Sequence, residues 1–236
     1  MSKIAPGSRL LSHAMLGAVQ QMGKHNQPMA TAKLYMSSGM IRPLLSTQPL
    51  CIWHHVFGRH AALDVEIGFG HGNFLIQRAR NYPQRNLVGI EYKAYLVRKA
   101  MRRKAQQRLH NLHILQGDAH SLIATAFAVG EIHHVFMNFP DPWWKKRHIK
   151  RRILTPMFVQ LLADKSVATA QIFLQTDVLM TFTQCLQQLQ QHNIWRAAHN
   201  KSNPLQVSNT TKAVSRRERR CIQQQIPIYR AVVAKN

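Results

Sequence analysis

The 236-residue sequence predicts an α/β fold of the Rossmann-like kind, a mostly parallel sheet with helices on both faces. Two observations carry this. From about residue 60 onward, short apolar runs alternate with stretches of helical periodicity, the pattern of strand–helix–strand crossovers. The first of these runs also ends in a glycine-punctuated turn, at the place where open α/β sheets hold their ligands.

Taken in order, Ala61–Ile67 is an apolar run leading into glycines and reads as the first strand. Phe74–Arg80 follows with helical spacing, and Pro83 breaks it. Asn86–Glu91 is the next strand, and Ala94–Leu109 is a helix that is heavily basic on one side. His113–Leu115 and Ile132–Met137 are further short strands, with a helix over His120–Phe127 between them. Thr155–Asp164 opens on a Thr-Pro pair suited to a cap and first helical turn. Ile172–Gln175 and Ile226–Val233 supply late strands, with a helix over Val178–Gln190 between them. No internal repeat is present.

Hydrophobic residues make up 45% of the chain, enough for a sizeable core, and no apolar run approaches the roughly 20 residues of a membrane span. The charge is lopsided: 32 Lys+Arg against 9 Asp+Glu, a formal +23. A polyanion is the natural partner of such a field; a generally basic protein without a specific partner is the bland alternative. An anionic membrane surface would want an amphipathic helix, for which only the N-terminal segment qualifies. Cys51, Cys185 and Cys221 are odd in number and form no C-x-x-C pair, which suits a reducing compartment, the cytoplasm, and speaks against disulfides or zinc. His54-His55 and His133-His134 read as surface or packing residues rather than metal ligands.

Asp64 is the first acidic residue. Residues 1–59 therefore read as a basic N-terminal extension, and 60–236 as the main domain. Leu11, Met15, Ala18, Val19 and Met22 fall near helical spacing. Such a segment suits an RNA-contacting arm, an organelle transit peptide, or a helix covering one edge of the domain.

Asp64-Val-Glu66-Ile-Gly68-Phe-Gly70-His-Gly72 has the form E-x-G-x-G-x-G between a strand and a helix. Glycines are needed where the backbone turns sharply and a ligand approaches it closely. A dinucleotide fingerprint would place its third glycine at 73, and that residue is Asn73. Three more carboxylates follow successive strands. Glu91 ends the second, where it could accept the hydroxyls of a ribose. Asp118, in Gly117-Asp118-Ala119, follows the third and suits an adenine amino group, and Asp141 follows the fourth. With Glu66, four of nine acids stand at strand carboxyl ends.

The most specific stretch is Asn138-Phe-Pro-Asp141-Pro-Trp143-Trp144-Lys145-Lys-Arg-His148-Ile149-Lys-Arg-Arg152. It resembles the N-F-P-D-P-W-P-K-K-R-H-x-K-R-R run of the bacterial tRNA (guanine-N7)-methyltransferases. That family also carries E-I-G-F-G-x-G, a strand ending I-E, and G-D-A at comparable intervals. The resemblance covers roughly residues 60–236 and implies a class I methyltransferase fold, S-adenosyl-L-methionine as cofactor, and transfer to guanine N7 of tRNA. By it, Glu66, Gly68, Gly70, Gly72, Glu91, Asp118, Ala119 and Asp141 line the cofactor site, and Asp141 is catalytic. Lys145, and Asp177 in Gln175-Thr-Asp177, match positions at the nucleic-acid substrate site. Ser215-Arg-Arg-Glu218-Arg-Arg220 is similar to the family's T-x-F-E-x-R, which brings Ser215 and Glu218 to the substrate side. Trp144 stands for a usual Pro and Ile149 for a usual His, and Lys165-Ser-Val-Ala-Thr replaces an L-K-P-G-G turn, so the chain is a divergent member.

The chemistry fits these residues. Guanine N7 is a lone-pair nucleophile with no proton to lose, so alignment and electrostatics suffice and no general base is required. Asp141 is expected to accept hydrogen bonds from the guanine edge as positive charge develops, with Asp177 helping to hold the base. Trp143 or Trp144 could stack a displaced base or simply pack. Lys145–Arg152 carries six Lys/Arg in eight residues, a second basic stretch runs from Arg98 to Arg108, and a third is Arg216–Arg220. These serve phosphate contacts or a solvated face. The rival readings are a paralogue acting on another RNA, a catalytically retired RNA-binding protein, an amino-group methyltransferase of DNA or protein, and a small-molecule methyltransferase. A monomer needing no metal is expected.

Overall fold

The computed structural model describes residues 35–37, 40–42, 53–141, 153–197 and 208–236. Strands β3 (Leu63–Ile67), β4 (Asn86–Glu91), β5 (Leu112–Gln116), β6 (Ile132–Asn138), β7 (Ser166–Thr176), β8 (Trp195–Ala197) and β9 (Tyr229–Lys235) form the body of the sheet, and a hairpin of β1 (Tyr35–Ser37) and β2 (Met40–Arg42) extends one edge. The order is β1-β2-β5-β4-β3-β6-β7-β9-β8. Pairing is parallel from β2 across to β7, and β9 runs antiparallel to both of its neighbours. The chain leaves β3 toward β4 and β5, then crosses back to β6 and β7. This reversal opens a crevice beyond the carboxyl ends of β3 and β6.

Seven helices cover the sheet among the described residues: α1 (Trp53–Phe57), α2 (Asn73–Asn81), α3 (Ala94–Gln106), α4 (Ala119–Ala126), α5 (Pro156–Lys165), α6 (Leu179–Gln190) and α7 (Arg216–Gln223). Strands β3 and β4 are buried along their whole length, as strands covered on both faces must be. Alternation sorts their side chains: Leu87 packs with Val97 and Ala100 of α3, while Val88 and Ile90 join Leu122 of α4 and Leu162 of α5. Trp53 of α1 is buried against Phe127, ring centroids 5.4 Å apart, and its indole N–H donates to the Ala126 carbonyl at 2.8 Å.

The predicted α/β order stands, with adjusted ends. Helix α3 stops at Gln106 rather than Leu109, because Arg108 turns to φ +51° and the Leu109 N–H closes on the Lys104 carbonyl. Thr155 caps α5, as the Thr-Pro pair predicts, accepting from the Phe158 N–H at 3.2 Å, and the helix runs one residue past Asp164 to Lys165. Strand β7 starts at Ser166, directly after α5, with no turn between them. Strand β9 starts at Tyr229, not Ile226, since Ile226 still caps α7 and Pro227 has no N–H for a ladder. The sequence reading did not mark β1, β2, α1, α7 or β8. The expected helix within residues 10–22 lies outside the described residues. No helix among the described residues is long and apolar enough to cross a membrane.

One buried cluster ties these pieces together. Asp64, 1% exposed, takes both Nε and Nη2 of Arg78 on one oxygen and both Nε and Nη2 of Arg85 on the other, with His134 Nδ1 at 3.0 Å. Arg78 lies 3.7 Å from the Tyr82 ring centroid and reaches the Thr211 carbonyl at 3.1 Å, joining α2 to the segment before α7. Burial alone would push the Asp64 carboxyl up. The hydrogen bonds of His134 and Arg85, with the charges of both arginines, outweigh it and hold the carboxyl below its ordinary value of 3.8. A depressed carboxyl supplies stability above the unfolded value and loses it as pH falls through the folded one. Asp64→Asn is therefore expected to cost about 3 to 5 kcal/mol at pH 7, leaving two guanidinium groups buried without their partner. Urea unfolding at pH 7 and again below pH 4 checks this: the gap between wild type and variant should shrink in acid.

Candidate active site

The turn after β3 is built to approach something closely. Gly68 and Gly70 take φ of +70° and +55°, and a Cβ on either would meet no protein atom within 4 Å. The space beside them is open. The turn is pinned to the end of β4: the Gly68 N–H donates to the Ile90 carbonyl at 2.8 Å and the Gly70 N–H to Glu91 Oε2 at 2.9 Å. Glu91 Oε1 takes the Lys93 N–H at 2.9 Å, so each oxygen spends one lone pair on backbone and keeps another. Gly72 is the N-cap of α2. Gly117 donates to the Glu91 carbonyl, bringing the end of β5 alongside.

Asp118 is exposed and caps α4, accepting from the Ser121 N–H at 2.9 Å and hydroxyl at 3.1 Å through one oxygen; Ala119 opens the helix. Asp141 is exposed three residues beyond β6. Between them Phe139 holds φ +54°, a conformation that costs a non-glycine residue about 1 to 2 kcal/mol, and its N–H donates to the Gln175 carbonyl at 2.7 Å. Strain of this kind concentrates where a loop must be aimed. Trp143, Trp144, Lys145 and the basic run to Arg152 lie outside the described residues.

Glu66 stands on β3 beside Asn138 of β6. It is 1% exposed; Oε1 accepts from Asn138 Nδ2 at 2.9 Å, while Oε2 is buried with no partner. Burial, helped by the nearby charge of Glu91 and opposed by the Asn138 bond, raises its carboxyl to about 8. A buried oxygen left without a donor marks a place where a cationic or hydrogen-bearing group belongs.

From Glu66 a polar row crosses the sheet. Gln175 Nε2 donates to Asn138 Oδ1 at 2.8 Å and to Glu218 Oε2 at 2.9 Å, and Arg230 donates to Gln175 Oε1 at 3.1 Å and Glu218 Oε1 at 3.0 Å. Asn138, Gln175 and Arg230 are register neighbours on β6, β7 and β9. Glu218 also forms a capping box with Ser215 and takes Asn209 Nδ2 at 2.8 Å. It is 1% exposed and its oxygens are engaged inside the protein; it fixes α7 from beneath. Ser215 caps that helix at its surface, and Asp177, at the end of β7, pairs with Arg217 of α7.

Glu66, Glu91, Asp118, Asp141 and Asp177 thus fall at or just beyond the carboxyl ends of β3, β4, β5, β6 and β7, and Ser215 caps α7. The sequence reading missed Asn138, Gln175 and Arg230 as supports, and His71, whose Nε2 meets Arg216 at 3.0 Å and whose carbonyl accepts from Arg103 at 3.0 Å. Asn138 and Gln175 stood inside quoted motifs and could have been found there; nothing in the sequence marked Arg230. No group of three or more His, Cys, Asp or Glu among the described residues could hold a metal ion.

Residues 60–231 match the family described as "Putative methyltransferase". The tRNA (guanine-N(7)-)-methyltransferase of Thermosynechococcus vestitus is 35% identical over 150 residues, 63% of this chain and 70% of that protein. Its counterpart in Levilactobacillus brevis is 36% identical over 157 residues, 66% and 72%. This chain belongs to the tRNA (guanine-N7)-methyltransferase family. A third member, from Myxococcus xanthus, is 29% identical over 210 residues and covers 83% of this chain and 99% of that protein.

The fold agrees with this membership. The structure of 16S rRNA methyltransferase KamB superposes with a TM-score of 0.57 at 14% identity, over 78% of this chain and 92% of that one. Precorrin-6y C5,15-methyltransferase of Geobacter metallireducens gives 0.50 at 14%, over 77% and 84%. The architecture is that of the class I methyltransferases, and the cofactor of the family is S-adenosyl-L-methionine. The residues fit it: an open glycine cradle, a spare lone pair on each Glu91 oxygen, and an unpartnered buried oxygen on Glu66 for a cation.

A pH signature follows from Glu66. Between its ordinary value of 4.5 and about 8 the folded protein holds a proton that the unfolded chain has lost, so without cofactor stability falls as pH rises across that window. Ionisation is needed to receive a cation, so cofactor affinity is expected to rise toward pH 8, with a proton released on binding. Calorimetry in two buffers of different ionisation heat reads the proton directly. Glu66→Gln should abolish both the release and the pH dependence; unchanged behaviour in that variant would place the proton elsewhere.

Proposed function

We propose that this protein methylates N7 of a guanine in tRNA, with S-adenosyl-L-methionine as methyl donor. The observation that carries the reading is the convergence at one sheet edge of an open glycine cradle, the half-satisfied buried Glu66 and the exposed Asp141, in a chain of net charge +23. Membership of a family whose named members are tRNA (guanine-N7)-methyltransferases supports it.

In this reading Glu66, Gly68, Gly70, Gly72, Glu91, Asp118, Ala119 and Asp141 hold the cofactor, which when bound supplies a methyl group on a sulfonium. Glu91 braces the glycine turn while offering its remaining lone pairs to hydroxyl groups. Asp118 keeps one oxygen free of its cap for an amino group. Asp141 is the catalytic residue. It accepts hydrogen bonds from the N–H groups of the guanine edge and favours the ring as it becomes cationic, in a site that needs no base. Lys145, Asp177, Ser215 and Glu218 serve the RNA side, Glu218 through the placement of α7. Residues 1–59 act as a basic extension to the catalytic domain 60–236, with β2 joined to its sheet and Trp53 of α1 seated in its core, and the protein works as a monomer in the cytoplasm, without metal.

The test is methyl transfer from labelled cofactor to unmodified tRNA, with the product probed by borohydride–aniline cleavage. One cleaved position is expected. Label without cleavage would mean another target atom and would sink the N7 assignment. Asp141→Ala is expected to lower turnover by about 10²- to 10³-fold while cofactor affinity stays within a few-fold. Equal loss of both would remove Asp141 from the chemistry.

A further inference from the structure

We propose that Lys99, Arg103 and Arg216, gathered around His71 of the glycine turn, form a binding site for a phosphodiester group of the RNA substrate. The site rests on the RNA reading above and locates one of its contacts. Lys99 and Arg103 stand one turn apart on α3, and Arg216 opens α7, more than a hundred residues later. They meet at His71. Arg103 Nη1 donates to the His71 carbonyl at 3.0 Å and to Asn73 Oδ1 at 2.8 Å, and Arg216 Nη1 lies 3.0 Å from His71 Nε2.

A guanidinium only donates, so Nε2 of His71 is the acceptor, and the ring there is neutral. Burial first, then the charges of Arg216, Lys99 and Arg103, lower the imidazole below its ordinary value and keep it so. The ring can therefore orient Arg216 without adding charge. Lys99 and Arg216 are exposed, and Arg103 has donors beyond the two it spends on the turn.

What is missing is a counter-charge. All nine acidic residues of the chain fall among the described residues. The ion pairs among those residues engage Arg78, Arg85, His134, Arg217 and Arg230, and none of the three cations at His71. A solvated basic face spreads its charges apart. Here two separate helices bring Arg103 to the His71 carbonyl and Arg216 to its uncharged imidazole, with Lys99 one turn from Arg103, which leaves their mutual repulsion to be relieved by an incoming anion. An oxyanion with several acceptor oxygens suits planar guanidinium donors and an ammonium together, and in RNA that group is the phosphodiester.

The test compares two double variants of the full chain: Lys99→Gln with Arg216→Gln at the site, and Arg80→Gln with Arg196→Gln, both exposed, elsewhere. Each removes two positive charges. Affinity for unmodified tRNA is measured by fluorescence anisotropy across a salt series, cofactor affinity by calorimetry, and folding by thermal melting. The site pair is expected to weaken tRNA binding about tenfold or more and to reduce the salt slope by roughly one, with cofactor binding and melting unchanged. Equal losses in both pairs would mean a diffuse field and overturn the site. Weaker cofactor binding with tRNA binding intact would reassign the cluster to a carboxylate of the cofactor and overturn it equally. A wild-type chain that binds no tRNA at physiological salt would remove the RNA reading itself, and this site with it.

Discussion

Glu66 is the constraint on which the rest of the site is arranged. A carboxylate on the central strand, 1% exposed, must be given partners by its neighbours or remain costly. The partner it finds in the protein is Asn138, and that choice propagates. A carboxylate oxygen only accepts, or in its neutral form keeps one accepting oxygen, so the Asn138 amide must present its NH₂ to Glu66 and its oxygen to β7. Gln175 must then present its NH₂ to Asn138 and Glu218, and its own oxygen to β9, where Arg230 meets it. Every amide in the row is fixed by chemistry rather than by choice of rotamer. Strand spacing does the rest, because Asn138, Gln175 and Arg230 sit abreast in the register of three adjoining strands.

The row also explains how acidic residues are used in a chain that has so few. Asp64 neutralises two arginines beneath the sheet, Glu218 meets Arg230, and Asp177 meets Arg217. Glu91 and Glu131 accept backbone N–H groups, while Asp118 caps a helix and Asp164 receives Gln160. Among the described acidic residues, Asp141 alone is exposed without a hydrogen bond or ion pair, and Glu66 alone keeps a bare buried oxygen. What the fold leaves without a partner is thus Asp141, three residues beyond β6, and one oxygen of Glu66 on β3. Their idleness within the protein is better evidence for a role toward ligands than their sequence motif alone.

Much of this was legible from residues. The glycine turn, the carboxylates at strand ends and the strand–helix alternation read directly, because each depends on local chemistry: φ > 0 for glycine, period two against period 3.6, carboxylates at chain reversals. Helix α7 was less visible. Its Arg-rich sequence has almost no apolar face, and the Ser215–Glu218 spacing of a capping box was read as a substrate contact. Glu218 shows the general difficulty. A carboxylate that matches a family motif is equally compatible with touching substrate and with holding up the residue that does, and only burial separates them. Arg230 and the His71 cluster depend on contacts between segments far apart in the chain, which no local pattern announces.

The direction of the row couples the two halves of the site. Donors point from Arg230 through Gln175 and Asn138 toward Glu66, so the amide dipoles align and lower the potential energy of a negative charge at its end. The same Gln175 NH₂ that supports Asn138 also supports Glu218, and Glu218 sets the first turn of α7 through its capping box. Ionisation of Glu66 therefore strengthens a chain of bonds whose far end positions Ser215, Arg216 and Arg217. The protonated and ionised forms of Glu66 keep the same bond pattern, since Oε1 accepts in both. What changes is the strength of the row, not its geometry. A site organised this way holds α7 in place before any ligand arrives and holds it more firmly once Glu66 carries its charge.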